Sequence, residues 1–234
     1  MRAVYRKEVG QLFHSVIGYI YLSVFLLLSG CYFLAYNLFQ ANGDIRNFFS
    51  PLMSTVIFLL PVLTMRTYAE ERRMRTDRLL LSAPVGSFAV AAGKFLAVLT
   101  MFSAGLVFTL LYVLVLAVLG QFDLLTVLGC YTGMLAAASA FIAIGMLIST
   151  LTENQIIACI VSYAVLLGLW LVGFVRSYLP WPFLRTAAGW LSVAGRFAEF
   201  SMGIFDFSTL TYYLSIAGFF LYAVAVITER QREA

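Results

Sequence analysis

Charge is scarce in this chain. Of its 234 residues, 11% are Asp, Glu, Lys or Arg and 62% are hydrophobic, whereas soluble domains are about 25% charged. A water-soluble fold of this length cannot hide so much apolar side chain, so the composition is that of a polytopic membrane protein. Histidine occurs once, as His14. A single imidazole near the start of the chain does not support a Ser-His protease within the membrane, and GxSxG, HExxH and clustered metal-ligand patterns are all missing. Cysteine occurs three times, as Cys31, Cys130 and Cys159, each inside an apolar run. That set gives no disulfide framework and no metal spacing, so the three read as small apolar side chains. Gly93-Lys94 looks like the end of a phosphate loop. However, Phe95 stands where Ser or Thr should hold magnesium, and Gly86 is misplaced for GxxxxGK[ST]. Any ATP that drives this chain is hydrolysed by another one.

What is present is long apolar runs, six of them, each near the roughly 20 residues a bilayer requires. They cover about Val16 to Phe39, Phe48 to Met65, Phe95 to Leu119, Leu124 to Thr150, Ile156 to Val175 and Phe207 to Ile227. The runs are continuous rather than alternating, so they predict helices and not a barrel. None has an acid or base in its interior. Ion-coupled carriers place ionisable groups in their spans, which argues against that class, although backbone carbonyls can also bind sodium. With both termini cytoplasmic, the inner segments hold 11 Lys and Arg residues and the outer segments 4, the bias that sets orientation. The predicted fold is an all-α polytopic membrane protein, with residues 1–15 forming an amphipathic interfacial helix and 16–234 a six-helix domain.

In the first fifteen residues Tyr5, Val9, Leu12, Phe13 and Val16 form one helical stripe, while Arg2, Arg6, Lys7, Gln11 and His14 take the other side. Such a helix lies flat at the headgroup level, where His14 is a headgroup contact. Leu28-Ser29-Gly30-Cys31 reads like a lipoprotein cleavage box, but the apolar Tyr32 to Tyr36 follows where a polar tether is usual. The outer segment 176–206 contains Pro180-Trp181-Pro182 and Trp190. These suit short interfacial or re-entrant helices. Gly129, Gly133 and Ala137 repeat every four residues in the fourth run. That spacing suits either a subunit interface or close packing inside one bundle.

One dense ionic knot interrupts this apolar chain. Glu70, Glu71, Arg72, Arg73, Arg75, Asp77 and Arg78 carry seven charges in nine positions, in the inner loop 69–85. Three readings fit: plain solvation, a lipid patch, or docking to a protein. Four arginines against three acids make a weak lipid patch. Glu71 and Arg75 stand at i, i+4 in the favourable order, which predicts a short helix bounded by Pro84. A helix displaying both signs suits electrostatic docking.

The opening "YRKEVGQLFHSVIGYIYLSVFLLLSG", the central "LPVLTMRTYAEERRMRTDRLLLSAPV", the turn "GMLISTLTENQIIA" and the closing "FSMGIFDFSTLTYYLSIAGFFLYAVAVITERQ" together resemble a type-2 ABC transporter permease. The resemblance is closest to the subfamily first associated with bacterial gliding motility. It covers nearly the whole chain, and it implies a flat elbow helix at the start. It also implies that residues 70–83, with Thr76 among them, form a coupling helix seated in a separate cytoplasmic ATPase, which binds the ATP and magnesium. Glu153, Asn154 and Gln155 would form a second, smaller contact. The expected assembly is a homo- or heterodimer of permeases in a bacterial inner membrane, exporting a substrate, with no cofactor in this chain and no nucleic-acid partner. The family pattern has Gly-Thr where this chain has Arg75-Thr76, so the segment is expected to be stiffer here. The same residues would also serve a membrane anchor or force-transmitting subunit that moves no solute.

Overall fold

The computed structural model describes residues 1–75, 86–118, 123–175 and 207–233, together with 181, 183, 189, 196, 197 and 200. The described residues form helices and no strands. They are α1 (Arg2–Phe13), α2 (Val16–Phe33, continued by a π-helical turn, Leu34–Leu38), α3 (Arg46–Thr64), α4 (Arg66–Arg73), α5 (Ser87–Val118), α6 (Leu124–Leu151), α7 (Gln155–Val175) and α8 (Phe207–Glu233). Six stretches are long and apolar enough to cross a membrane, with α3 and α4 counting as one. The expected outer segment 176–206 lies almost wholly outside the described residues, as does 76–85 of the inner loop.

Helix α6 is the axis of the bundle. Within its most apolar stretch 83% of residues are buried in the chain, against 17% in α7. Its small residues let neighbours approach from all sides. A Cβ on Gly133 would stand 2.8 Å from Phe200 Cβ, and Gly129 and Ala137 are buried beside it in the sequence. The burial of all three fits the close-packing reading of this spacing within one chain.

At the end of the bundle away from the ionic knot, α2, α3, α5 and α6 are bolted together. Phe33 stacks on Tyr112 at 4.7 Å, and Phe49 meets Tyr131 edge-on at 4.9 Å. Hydroxyl pairs Tyr32–Thr55 at 2.9 Å and Thr109–Tyr131 at 2.8 Å fix the same helices. Buried hydroxyls need such partners in an apolar interior. Beside this cluster a cavity of about 350 Å³ lies between the α2–α3 loop and the facing ends of α5 and α6, with Asp44, Arg46 and Asp123 in its lining. Cys31 is an exposed residue of the unbroken α2, so the Leu28–Cys31 box is part of a helix.

Two expectations change here. The third span starts at Ser87, not Phe95, so Lys94 lies inside a helix and is 1% exposed. On α1 the expected stripe holds through Tyr5, Val9, Leu12 and Phe13, all half-buried, with Arg2, Arg6, Lys7, Gln11 and His14 exposed opposite. Val16, expected on the same stripe, instead opens α2 and is 73% exposed. Val4 and Glu8 are the fully buried residues of α1, and Glu8 reaches Lys94 from there.

Candidate functional site

Helix α3 runs almost directly into the charged segment. The helical path is interrupted at Met65 and resumes as α4, carrying Thr67, Tyr68 and Ala69 into the core. The next residue, Glu70, is held by Arg66 one turn back. Arg66 Nε donates to Oε2 at 2.6 Å and Nη2 to Oε1 at 2.5 Å, a bidentate pair of the strong kind.

Glu71 turns the other way. Its Oε1 lies 2.9 Å from Lys94 Nζ and 3.1 Å from Lys7 Nζ. Lys94 Nζ also reaches Glu8 Oε1 at 3.0 Å and donates to the Thr67 carbonyl at 2.7 Å. The Tyr68 ring lies 5.1 Å away, on its cation–π side. One buried ammonium position thus ties together α1, α4 and α5. Two bases and two acids balance, which makes burial tolerable. At the rim, partial burial pulls the Lys7 pKa down, but Glu71 and then Glu8 outweigh it and hold it above the ordinary value.

The knot is therefore sorted by sign. Its first two acids are tied back to the chain, while Arg73 and Arg75 are exposed and Arg72 half-exposed. The expected display of both signs is corrected to a largely cationic one over residues 70–75. The expected Glu71–Arg75 spacing along one helix is not reached, because α4 ends at Arg73. Thr76, Asp77 and Arg78 lie outside the described residues.

Arg75 has φ 54°, the left-handed region that favours glycine. It follows the helix C-cap, where helices commonly end in this way, and its N–H donates to the Arg72 carbonyl at 3.0 Å. Arg75 thus adopts this turn with a side chain where the family pattern has glycine, at a cost in strain. Arg75→Gly should raise stability by about 1 kcal/mol, read as a higher thermal midpoint in detergent. An unchanged or lower midpoint would refute the strain.

The other inner turn is compact. Asn154 Oδ1 accepts from the Ile156 N–H at 2.9 Å and caps α7. Glu153 and Asn154 are exposed and Gln155 is half-buried. This turn shares the knot's end of the bundle, since α4 packs against both α6 and α7. At that end Ser87, the first residue of α5, donates to Glu229 of α8.

Sequence reading missed Lys94 and Glu8 as a pair. The available signal was a lone lysine inside an otherwise uncharged run from Ser87 to Leu119, which demands an acidic partner. No curated protein matches the chain significantly. A family model described as ABC-2 family transporter protein matches residues 32–198, a stretch that includes the second to fifth spans, the knot and the Glu153–Gln155 turn. Matched over most of its length and carrying six apolar helices long enough to cross a membrane, this chain belongs to the ABC-2 family of transporter proteins, as a membrane transport subunit.

Proposed function

We propose that the chain is the permease subunit of an ATP-driven exporter in a bacterial inner membrane, moved by a separate cytoplasmic ATPase that grips residues 70–83. One observation carries this reading: α4 continues the second span and offers arginines outward, while its own acids are pinned inward. Arg72, Arg73 and Arg75 then suit an acidic groove on the ATPase, with Glu153, Asn154 and Gln155 as the smaller contact. ATP and magnesium belong to that partner. Two permeases, each with six spans, enclose the pathway between them, and α1 lies at the headgroups with Arg2 and Arg6 outward. The narrower kinship with the gliding-motility branch rests on the four resembling stretches, the central one foremost, and export on the family resemblance.

The test is a triple charge reversal, Arg72→Glu, Arg73→Glu and Arg75→Glu. Co-purification of the ATPase should fall by about tenfold or more, because like charges now face each other. Membrane insertion should be unchanged, since these side chains lie outside the core. Undiminished co-purification would return the knot to plain solvation.

A further inference from the structure

Ser149, on the last turn of α6, touches the interruption between α3 and α4. Its Oγ donates to the Met65 carbonyl at 3.0 Å and accepts from the Tyr68 and Ala69 N–H groups, each at 3.1 Å. A hydroxyl has one proton and two lone pairs, so all of its capacity is spent on this one joint. The ordinary helical acceptor for the Tyr68 N–H would be the Thr64 carbonyl. That carbonyl instead accepts the Thr67 hydroxyl at 2.8 Å. A side chain inserted into the ladder in this way is a recognised cause of helix interruption.

Gly145, one turn earlier on the same face of α6, makes the approach possible. A Cβ there would stand 2.3 Å from Thr64 Oγ1 and 2.9 Å from Thr64 Cβ. Pro61, in the preceding turn of α3, lacks the N–H that would stiffen the helix from below.

We propose that Ser149 is the pin of a hinge at Met65, a positioning residue on which the coupling segment turns relative to the second span. The joint has a second arrangement that is equally satisfied. The Tyr68 N–H can return to the Thr64 carbonyl and the Ala69 N–H to the Met65 carbonyl, the ordinary helical acceptors, and the freed Ser149 hydroxyl can bond back to a carbonyl of its own helix. Neighbouring hydroxyls already do this: Thr150 donates to the Leu147 carbonyl and Ser139 to the Ala136 carbonyl. Exchanging hydrogen bonds without orphaning any buried group gives two discrete states of similar energy, which is what a switching element requires. Both lie within reach of a partner that grips one of them better. The coupling role rests on the function proposed above, but the hinge itself does not.

The experiment uses the full-length permease in nanodiscs, with Cys31, Cys130 and Cys159 replaced by alanine. Paired spin labels go at the exposed positions Phe58→Cys and Met74→Cys. In a straight helix these positions lie about 24 Å apart along the axis. Ser149→Ala should move the measured distance by several ångströms towards that geometry. Ser149→Thr, which keeps the hydroxyl, should stay with the parent, and Ser149→Cys, a weak acceptor of nearly the same shape, should fall between them. In complex with the ATPase, ATP should shift the distance in the parent and in Ser149→Thr but not in Ser149→Ala. Identical distances in all variants of the isolated permease would overturn the hinge, and so would an ATP-driven shift that survives Ser149→Ala. If the parent binds no ATPase, the proposed function fails, while the distances in the isolated permease still decide the hinge.

Discussion

Lys94→Met should destabilise the folded permease by about 3–5 kcal/mol, the usual consequence of removing one partner from a buried charge network. Methionine fills the volume but leaves Glu8 Oε1, formerly 3.0 Å from Nζ, and Glu71 Oε1, formerly 2.9 Å away, short of their buried cation. Lys7 does not replace it. It lies 3.5 Å from Glu8 and 3.1 Å from Glu71, with its side chain 53% exposed, where solvent weakens each contact. The Thr67 carbonyl loses its side-chain donor as well. Thermal midpoints in detergent measure the loss. Adding Glu8→Gln and Glu71→Gln to Lys94→Met should restore most of it, because a neutral set no longer strands charge in the interior. If Lys94→Met melts with the parent, the network contributes nothing. If the triple variant is no better than the single one, the loss came from packing and not from orphaned carboxylates.

Lys94 also explains what the sequence could and could not reveal. The six spans were legible because backbone groups in a bilayer leave few alternatives to a helix. Their ends were less so. A span read from hydropathy stops at a charge, so the third was expected to begin at Phe95, just past the lysine. It begins at Ser87 because Glu8 and Glu71 neutralise that lysine, and neither acid is near it in the chain. On α1 the stripe through Tyr5, Val9, Leu12 and Phe13 was legible as periodicity, but it could not register that Glu8, buried beside it, had a partner to reach. The knot was visible as a cluster of charge, yet its sorting by sign depends on Arg66 holding Glu70 and Lys94 holding Glu71. Ser149 left no trace, since a serine near the end of a span is ordinary until Met65 is found opposite it.

Gly18→Ala is the second large effect, and it acts where the chain turns from α1 into α2. In an ordinary helix interior this exchange would stabilise by roughly 0.5–1 kcal/mol. Here the added Cβ would stand 2.0 Å from the Leu12 carbonyl oxygen and 3.1 Å from its carbon. Met101 Cε, also 3.1 Å away, is a flexible end and can yield. The carbonyl is backbone and cannot do so alone. It accepts the Ser15 hydroxyl at 3.0 Å, and Ser15 Oγ in turn accepts the Gly18 N–H at 3.0 Å, capping α2. Admitting a methyl group means swinging the Leu12 carbonyl out of this clasp and tilting α1 with it. Lost hydrogen bonds and overpacking together should cost about 2–4 kcal/mol, read as a fall in thermal midpoint. The same tilt should draw Glu8 away from Lys94. The two predictions are therefore coupled. Once Lys94→Met has orphaned Glu8, tilting α1 releases that carboxylate towards water. Gly18→Ala should then cost distinctly less in the Lys94→Met background than in the parent, because sites that share partners do not add. Full additivity would mean that α1 keeps its place when its corner is forced, and that the clasp at Leu12 and the ion cluster at Lys94 work independently.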